Sequence, residues 1–384
     1  MREIYLDNSA TTRPTEPVIQ AVTACMETEW YNPSALYRPS MLVQKKMEEV
    51  RRLLLKAAGA DGENCTFTSS GTEADNLALL GALRARRGGG RVLIFQSEHP
   101  AILSCIPEIE RMGYTVETIA PDAVGAVDLD RLETQMRGDV AMIVVMQVNN
   151  ETGTIQPLSE IARLRDRLCP EAHFHVDGVQ GFLRVPFSLH ALRADSYALS
   201  GHKIHALKGT GALIWRRNRK LTPQMLGGGQ ENGMRSGTEN TCGILALGEA
   251  VRSYPQDAAE TMMGLKKRLY EGIRARIPKS MLNGPEMDDT RCAPHILNLS
   301  LPPVRSQTML FALEGDGIYV SAGSACASHK QKVSPVLLAM GRTSQEADCA
   351  LRMSLCPFLS SDMMDETAQR MAAHYQLLSQ YTRR

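Results

Sequence analysis

The chain has 384 residues, 43% of them apolar and 22% charged, which is long enough for two domains and apolar enough to bury a sizeable core. Its 43 Lys and Arg nearly cancel 42 Asp and Glu, leaving +1, so there is no overall electrostatic footprint for nucleic acid or an anionic membrane surface. The nine cysteines form no C-x-x-C pair, so zinc ribbons and dithiol redox motifs find no support and no metal site is expected. Their odd number in a long chain favours reduced thiols in a cytoplasmic protein. The opening residues, MREIYLDNSATT, hold no apolar signal region, and the longest strongly apolar run, 141–146, is too short to span a bilayer.

In chain order, apolar runs predict strands at 65–68, 92–96, 141–147, 173–177, 195–199 and 212–215. Helix-period stretches at 73–86, 102–112, 129–136 and 158–168 lie between them. That alternation predicts an α/β domain with a largely parallel sheet, and the unbroken AMIVVM run suits a strand buried on both faces. The pattern changes after Gly248: a long helix at 258–277 is followed by short strand candidates at 296–301, 319–321 and 350–354. The expectation is a large domain over 1–250 and a smaller α+β domain over 251–384, with the first fifteen or so residues packing against the smaller one. No Pro/Gly/Ser-rich linker separates them, so they should pack closely. The densest basic cluster, Arg216, Arg217, Arg219 and Lys220, reads as a solvated turn after a strand.

Chemistry gathers at the predicted strand ends. Ser200-Gly-His-Lys203 follows one strand, and a lysine in a Gly-bounded turn with His202 beside it is placed to form a Schiff base; the alternative is an ordinary basic loop. His175-Val-Asp177-Gly-Val-Gln180 ends another. Its Asp177 suits a protonated pyridine nitrogen, and Gln180 reaches an adjacent ring oxygen if the chain turns into a helix; otherwise Asp177 is a helix cap. In Thr68-Ser-Ser-Gly71-Thr72-Glu73-Ala-Asp75 a strand gives way to a helix start, either a phosphate cradle or a capped helix without ligand. Neither a Walker A loop nor G-x-G-x-x-G is present, so a nucleotide site is disfavoured.

His99, in Ser97-Glu-His-Pro100, can stack on a planar cofactor or move protons, and Val148-Asn-Asn150-Glu151 offers amides at the same sheet edge. The run from Gly227 to Thr238 is glycine-rich and permits close backbone approach. Each feature has a bland reading alone; their convergence at the carboxyl ends of strands, where open α/β sheets bind ligands, favours a shared site. In the second domain Val320-Ser-Ala-Gly-Ser-Ala-Cys326 sets a cysteine among small residues, as suits a reactive thiol. Cys65, Cys105 and Cys349 read as buried, and Cys356 is the competing reactive thiol.

Together, SGHK, HVDxxQ, GMRSGT and SxGSAC resemble the pyridoxal-phosphate-dependent cysteine desulfurases of the aminotransferase class V family, over nearly the whole chain. The SAGSAC loop is similar to that of the subgroup serving iron–sulfur assembly, other members having R-x-G-x-x-C. The resemblance implies a pyridoxal-phosphate transferase fold of type I: a mixed, mostly parallel seven-stranded sheet between helices, and a smaller α+β C-terminal domain. It implies Lys203 as the lysine holding pyridoxal 5'-phosphate, Asp177 at the ring nitrogen, Gln180 at the ring hydroxyl and His99 over the ring. Gly71, Thr72, Ser200 and His202 would bind the phosphate, joined by Thr238 from a second subunit, so a homodimer is implied. Asn150, Arg352 and Asn32 would grip the substrate carboxylate.

The implied reaction converts L-cysteine to L-alanine, with Lys203 and His99 handling protons. Cys326 takes the sulfur as a persulfide and passes it to an acceptor protein, an iron–sulfur scaffold or a tRNA-thiolation enzyme. The chain departs from the pattern at His329, Lys330 and Lys332, which either lower the Cys326 pKa or form a solvated loop. It departs again at Cys356-Pro357, where Gly-Arg is usual, and in a short C-terminus. A selenocysteine lyase, a class V aminotransferase and a non-catalytic scaffold of the same fold stand as alternatives.

Overall fold

Val-Ala-Met-Ile-Val-Val-Met at 140–146 is buried at every position, inside a seven-stranded sheet, in the computed structural model, which describes residues 2–322 and 333–381. The described strands are β1 (Ile4–Tyr5), β2 (Asn64–Thr68), β3 (Gly90–Phe95), β4 (Tyr114–Ile119), β5 (Val140–Met146) and β6 (His173–Asp177). They continue with β7 (Ser196–Ser200), β8 (Gly211–Trp215), β9 (Met281–Leu282), β10 (Ile296–Ser300), β11 (Ile318–Tyr319) and β12 (Ala350–Ser354). The large sheet runs β2-β8-β7-β6-β5-β3-β4. It is parallel from β7 to β4 and antiparallel where β8 pairs with β7 and β2. This is the mixed, mostly parallel sheet that the resemblance implied.

Side chains alternate across each strand, so one apolar run supplies two cores. Leu93, Phe95, Ile143 and Val145 meet Val43, Met47, Val50 and Leu54 of the helix Arg38–Ala57 on one face. Val92, Ile94, Met142 and Val144 meet Leu77, Leu80 and Leu83 of the helix Gly71–Ala85 on the other. The 3,4 spacing in Arg38–Ala57 gives that helix one buried stripe.

Four features differ from the sequence reading. Strand β4 was not anticipated: it is the outer strand beside β3, and Tyr-Thr-Val-Glu-Thr-Ile is only partly buried, so it lacks a long apolar run. The single helix expected at 102–112 is two short ones, Pro100–Leu103 and Ile106–Arg111, and Pro107 lies in the first turn of the second. The helices Glu16–Thr28, Arg38–Ala57 and Thr241–Ser253 were not anticipated either. The basic turn after β8 is anchored as well as solvated, for Arg219 Nε pairs with buried Asp195 Oδ1 at 2.8 Å.

A third core surrounds the antiparallel β12-β10-β9 sheet and the helices Ala258–Arg276, Ser306–Gly315 and Ser361–Leu378. The chain start belongs to it: β1 pairs with β11, and Ile4 and Leu6 are buried there. The segment after β1 then runs back toward the large sheet, with Thr12 N donating to His202 O at 2.9 Å. Among the described residues no helix is long and apolar enough to cross a membrane, and all eight described cysteines are free.

Candidate active site

Strand β7 delivers Ser200 to the sheet edge, and a single 3-10 turn at Gly201–Lys203 then lifts Lys203 above it. Lys203 Nζ donates to the carbonyls of Ser9 (2.6 Å) and Ala10 (2.8 Å), and Arg184 donates to its backbone oxygen. Next along the sheet, β6 ends on Asp177, 5% exposed, whose Oδ1 accepts from Val179 N at 2.8 Å. The chain beyond it forms turns rather than the helix allowed for in the sequence reading, yet Gln180 still arrives, its Nε2 donating to Ser9 O at 3.0 Å. Glycine is required in this turn: a Cβ on Gly178 would lie 1.9 Å from Cζ of Tyr197.

The helix Gly71–Ala85 starts at the same edge. Ser70 Oγ caps it by accepting from Glu73 N at 3.1 Å, and Glu73 also binds Ser69 N and Arg235 Nε. Its first-turn N–H groups have no partner within the helix, which is the anion-binding end. A Cβ on Gly71 would lie 2.5 Å from Val179 Cγ2 and 3.3 Å from Ser200 Cβ, so the helix can approach β7 this closely only with glycine there.

His99 follows β3, and its Nδ1 accepts from Ala101 N at 3.1 Å, which puts the ring proton on Nε2. Burial first, and then the charge of Lys203, lowers its pKa to about 4, so His99 is neutral at pH 7. Burial and the Lys203 charge likewise bring His202 to about 4. Asp177 moves the other way, raised to about 8 by burial and then by Asp75. Asp75, 1% exposed, meets His175 Nε2 at 3.1 Å; His175 Nδ1 and His173 Nε2 each lie 2.8 Å from Ser196 Oγ. Glu98, 3% exposed, accepts from Met146 N at 2.6 Å and is pushed well up by burial.

From the smaller sheet β12 contributes Arg352, 2% exposed, which donates to Asn150 O (2.9 Å) and pairs with Asp7 Oδ1 (2.8 Å). Part of this set surrounds one cavity of about 230 Å³. Gly71, Thr72, His99 and Asn150 line it, as do Asp177, Gln180 and Ser200; His202, Lys203 and Arg352 complete the sequence-predicted part of its wall. Asn32 is not among them: it is exposed and accepts from Ser34 N at 2.9 Å. Thr238 lines a separate cavity with Ser69 and Arg235. Cys326, with His329, Lys330 and Lys332, lies outside the described residues. Cys65, Cys105 and Cys349 are buried as expected, and Cys356 is buried too, burial pushing its thiol up.

Residues 4–366 match the profile of the family described as Aminotransferase class-V. The chain belongs to the aminotransferase class-V family. It is 36% identical over 375 residues to a cysteine desulfurase of a Nostoc species, covering 97% of this chain and 92% of that one. It is 35% identical over 369 residues to the cysteine desulfurase NifS of Azotobacter vinelandii, covering 95% and 90%. A solved NifS-like protein superposes with a TM-score of 0.91 at 29% identity, over 98% of this chain and 100% of that one.

Enzymes of class V work with pyridoxal phosphate, and the cavity of this class-V chain fits that group on its own geometry. Ser200 Oγ and Arg352 Nε are buried without a hydrogen-bond partner, and both residues face the cavity. Those are donors for a phosphate oxygen and for a carboxylate. Asp177 is a buried carboxyl whose ionised form, disfavoured by burial, a protonated ring nitrogen would stabilise. Sequence reasoning missed the carbonyls of Ser9 and Ala10, the Asp7 partner of Arg352, and the place of buried Asp75 on the cavity wall, whereas buried Glu98 lies off that wall. A signal existed for the first three: a polar run, Asp7-Asn-Ser-Ala-Thr-Thr12, directly after a short apolar strand.

Proposed function

We propose that this chain is a pyridoxal-phosphate-dependent cysteine desulfurase, moving the sulfur of L-cysteine to Cys326 and releasing alanine. The observation that carries the reading is one cavity containing an amine (Lys203), a buried carboxyl (Asp177) and a buried guanidinium with an unpartnered Nε (Arg352). The cysteine desulfurases among its relatives narrow the class V reaction to this one.

Lys203 Nζ would hold the cofactor covalently, Asp177 would hold its ring nitrogen, and Gln180 would reach the ring hydroxyl. Ser200, His202, Gly71 and Thr72 would hold its phosphate. Bound there, the group supplies an electron sink for bond breaking at the substrate's α- and β-carbons. Arg352 Nε donates to the substrate carboxylate, with Asn150 beside it. Lys203 Nζ moves the proton at the substrate α-carbon. Neutral His99 covers the ring and, with its proton on Nε2, can donate but does not add a positive charge beside Lys203. Cys326 thiolate attacks the substrate sulfur: one S–S bond forms, the substrate C–S bond breaks, a proton takes sulfur's place on the β-carbon, and a persulfide remains on the protein.

The persulfide sulfur then passes to an acceptor protein, an iron–sulfur scaffold or a tRNA-thiolation enzyme, in the cytoplasm. The reading includes a homodimer, in which Thr238 completes the phosphate site of the other subunit. Exposed Trp30, Leu36, Tyr37 and Met41 support an apolar contact surface of that kind. It also includes a division near residue 250 into a large cofactor domain and a smaller one carrying the Cys326 loop. The test is turnover of L-cysteine with dithiothreitol present to reduce the persulfide and release its sulfur as sulfide, alanine and sulfide being measured together, in the native protein and in Cys326→Ala. Equal alanine and sulfide, lost in Cys326→Ala, is the expected result. Full turnover in Cys326→Ala, or turnover of selenocysteine alone, would overturn the assignment.

A further inference from the structure

Helix Glu16–Thr28 and helix Thr241–Ser253 pack against each other, and each places a cysteine at the seam. Cys25 sits in the last turn of the first and is fully buried; Cys242 is the second residue of the other and is part-exposed. Their sulfurs are 2.8 Å apart. Unbonded heavy atoms settle at about 3.5–4.0 Å, whereas a disulfide needs about 2.05 Å. The reduced pair is therefore crowded, and a small rotation of either side chain brings the sulfurs to bonding distance. Around them, Cys25 Sγ meets Thr241 Oγ1 at 3.9 Å and Glu29 O at 4.0 Å, and among the described residues no cluster of metal-ligating side chains competes for the thiols.

We propose that Cys25 and Cys242 form a reversible disulfide that joins the two helices. The oxidant is a low-molecular-weight disulfide of the glutathione type. Cys242, the part-exposed sulfur, attacks one of its sulfur atoms and expels the first small thiol. Cys25 then attacks Cys242's sulfur in the mixed disulfide and expels the second. Two protein thiols lose two electrons, the small disulfide is reduced to two thiols, and the two protons leave with them. Burial and the neighbouring thiol push Cys25 up to about 12, which leaves Cys242 as the first attacker.

The location gives the bond a consequence. The first helix follows the segment whose Ser9 and Ala10 carbonyls hold Lys203, and the second begins at Thr241, three residues after Thr238. The bond would close a loop of 217 residues, constraining the unfolded chain and stiffening the seam between those two segments.

The full chain, loaded with pyridoxal phosphate, is incubated with graded oxidised glutathione, blocked with an alkylating reagent, digested and mapped by mass spectrometry. The expected result is a cross-linked peptide pair containing Cys25 and Cys242, two fewer alkylated thiols, and a raised melting temperature, all reversed by dithiothreitol. Linkage should need about tenfold less oxidant than a disulfide between any other described cysteines, because the two sulfurs are already in contact. In Cys25→Ser, Cys242 should keep glutathione as a stable mixed disulfide; in Cys242→Ser, buried Cys25 should stay unmodified. Alkylation of both residues at an oxidant level that modifies other thiols, or glutathione persisting on Cys242 in the native protein, would overturn the proposal.

Discussion

Two anchored lysines, one half-buried and one buried, can be set side by side. Lys203 Nζ donates to the carbonyls of Ser9 and Ala10; Lys266, 2% exposed in the helix Ala258–Arg276, donates to Ala293 O at 2.8 Å and to Cys292 Sγ at 3.0 Å. Both are amines anchored by backbone oxygen, and burial lowers the Lys266 pKa, a shift often associated with catalytic amines. Yet of the two only Lys203 lines a described cavity, and the wall of that cavity also carries the unpartnered hydroxyls of Ser9 and Ser200 and the unpartnered Nε of Arg352. Lys266 packs beside the core of the smaller sheet, where its hydrogen bonds satisfy the loop before β10. A desolvated amine is therefore not a site by itself; the space around it and the unsatisfied groups facing that space make the difference.

The largest effect should separate the two lysines. Lys203→Ala should lower turnover by at least about 10²-fold while the protein stays folded, because the proton-moving amine is gone. Lys266→Met should keep turnover within a few fold and cost about 1–3 kcal/mol of stability, the cost of an unpaired Ala293 carbonyl. Steady-state kinetics and denaturant unfolding on the two variants check this, and equal losses of turnover would break the distinction. Arg352→Lys tests the cavity's second donor. Losing Nε should raise KM for L-cysteine about tenfold, some 1.4 kcal/mol, with a smaller effect on kcat.

How far this site was legible in the sequence depends on distance along the chain. Lys203, Asp177 and Gly71 were readable because each sits where a buried run ends at small residues, a local signal. The Arg352–Asp7 pair joins residues 345 apart, and nothing local to either announces the other. Strand β4 hid for another reason: as an outer strand with half-exposed Glu117 it has no long apolar run. Asn32 and Thr238, both assigned by resemblance, lie off the cavity of this chain.

Smaller effects sharpen the same picture. Gly71→Ala would press a methyl against Val179 Cγ2 and should cost about 1–3 kcal/mol, with weaker cofactor retention. Adding Val179→Ala should restore part of the loss, as measured by thermal melts and cofactor titration. The pH dependence follows from His99, His173, His175, His202 and His205, each lowered from 6.5 to about 4, with burial the largest cause. Between pH 6.5 and 4 these histidines bind more protons in the unfolded chain than in the folded one, so their contribution to stability falls as pH falls through that window, while the raised carboxyls of Asp177 and Glu98 act with the opposite sign. In His205→Gln the melting temperature should therefore fall less from pH 6.5 to 4 than in the native protein, and an unchanged profile would contradict a buried, neutral His205.

The most direct measurement of the central claim is reductive trapping. The protein is loaded with pyridoxal phosphate, treated with borohydride, digested, and the modified lysine is located by mass spectrometry. The account requires the adduct on Lys203, with Lys266 unmodified. An adduct on Lys266 or another lysine, or none at all, would contradict it.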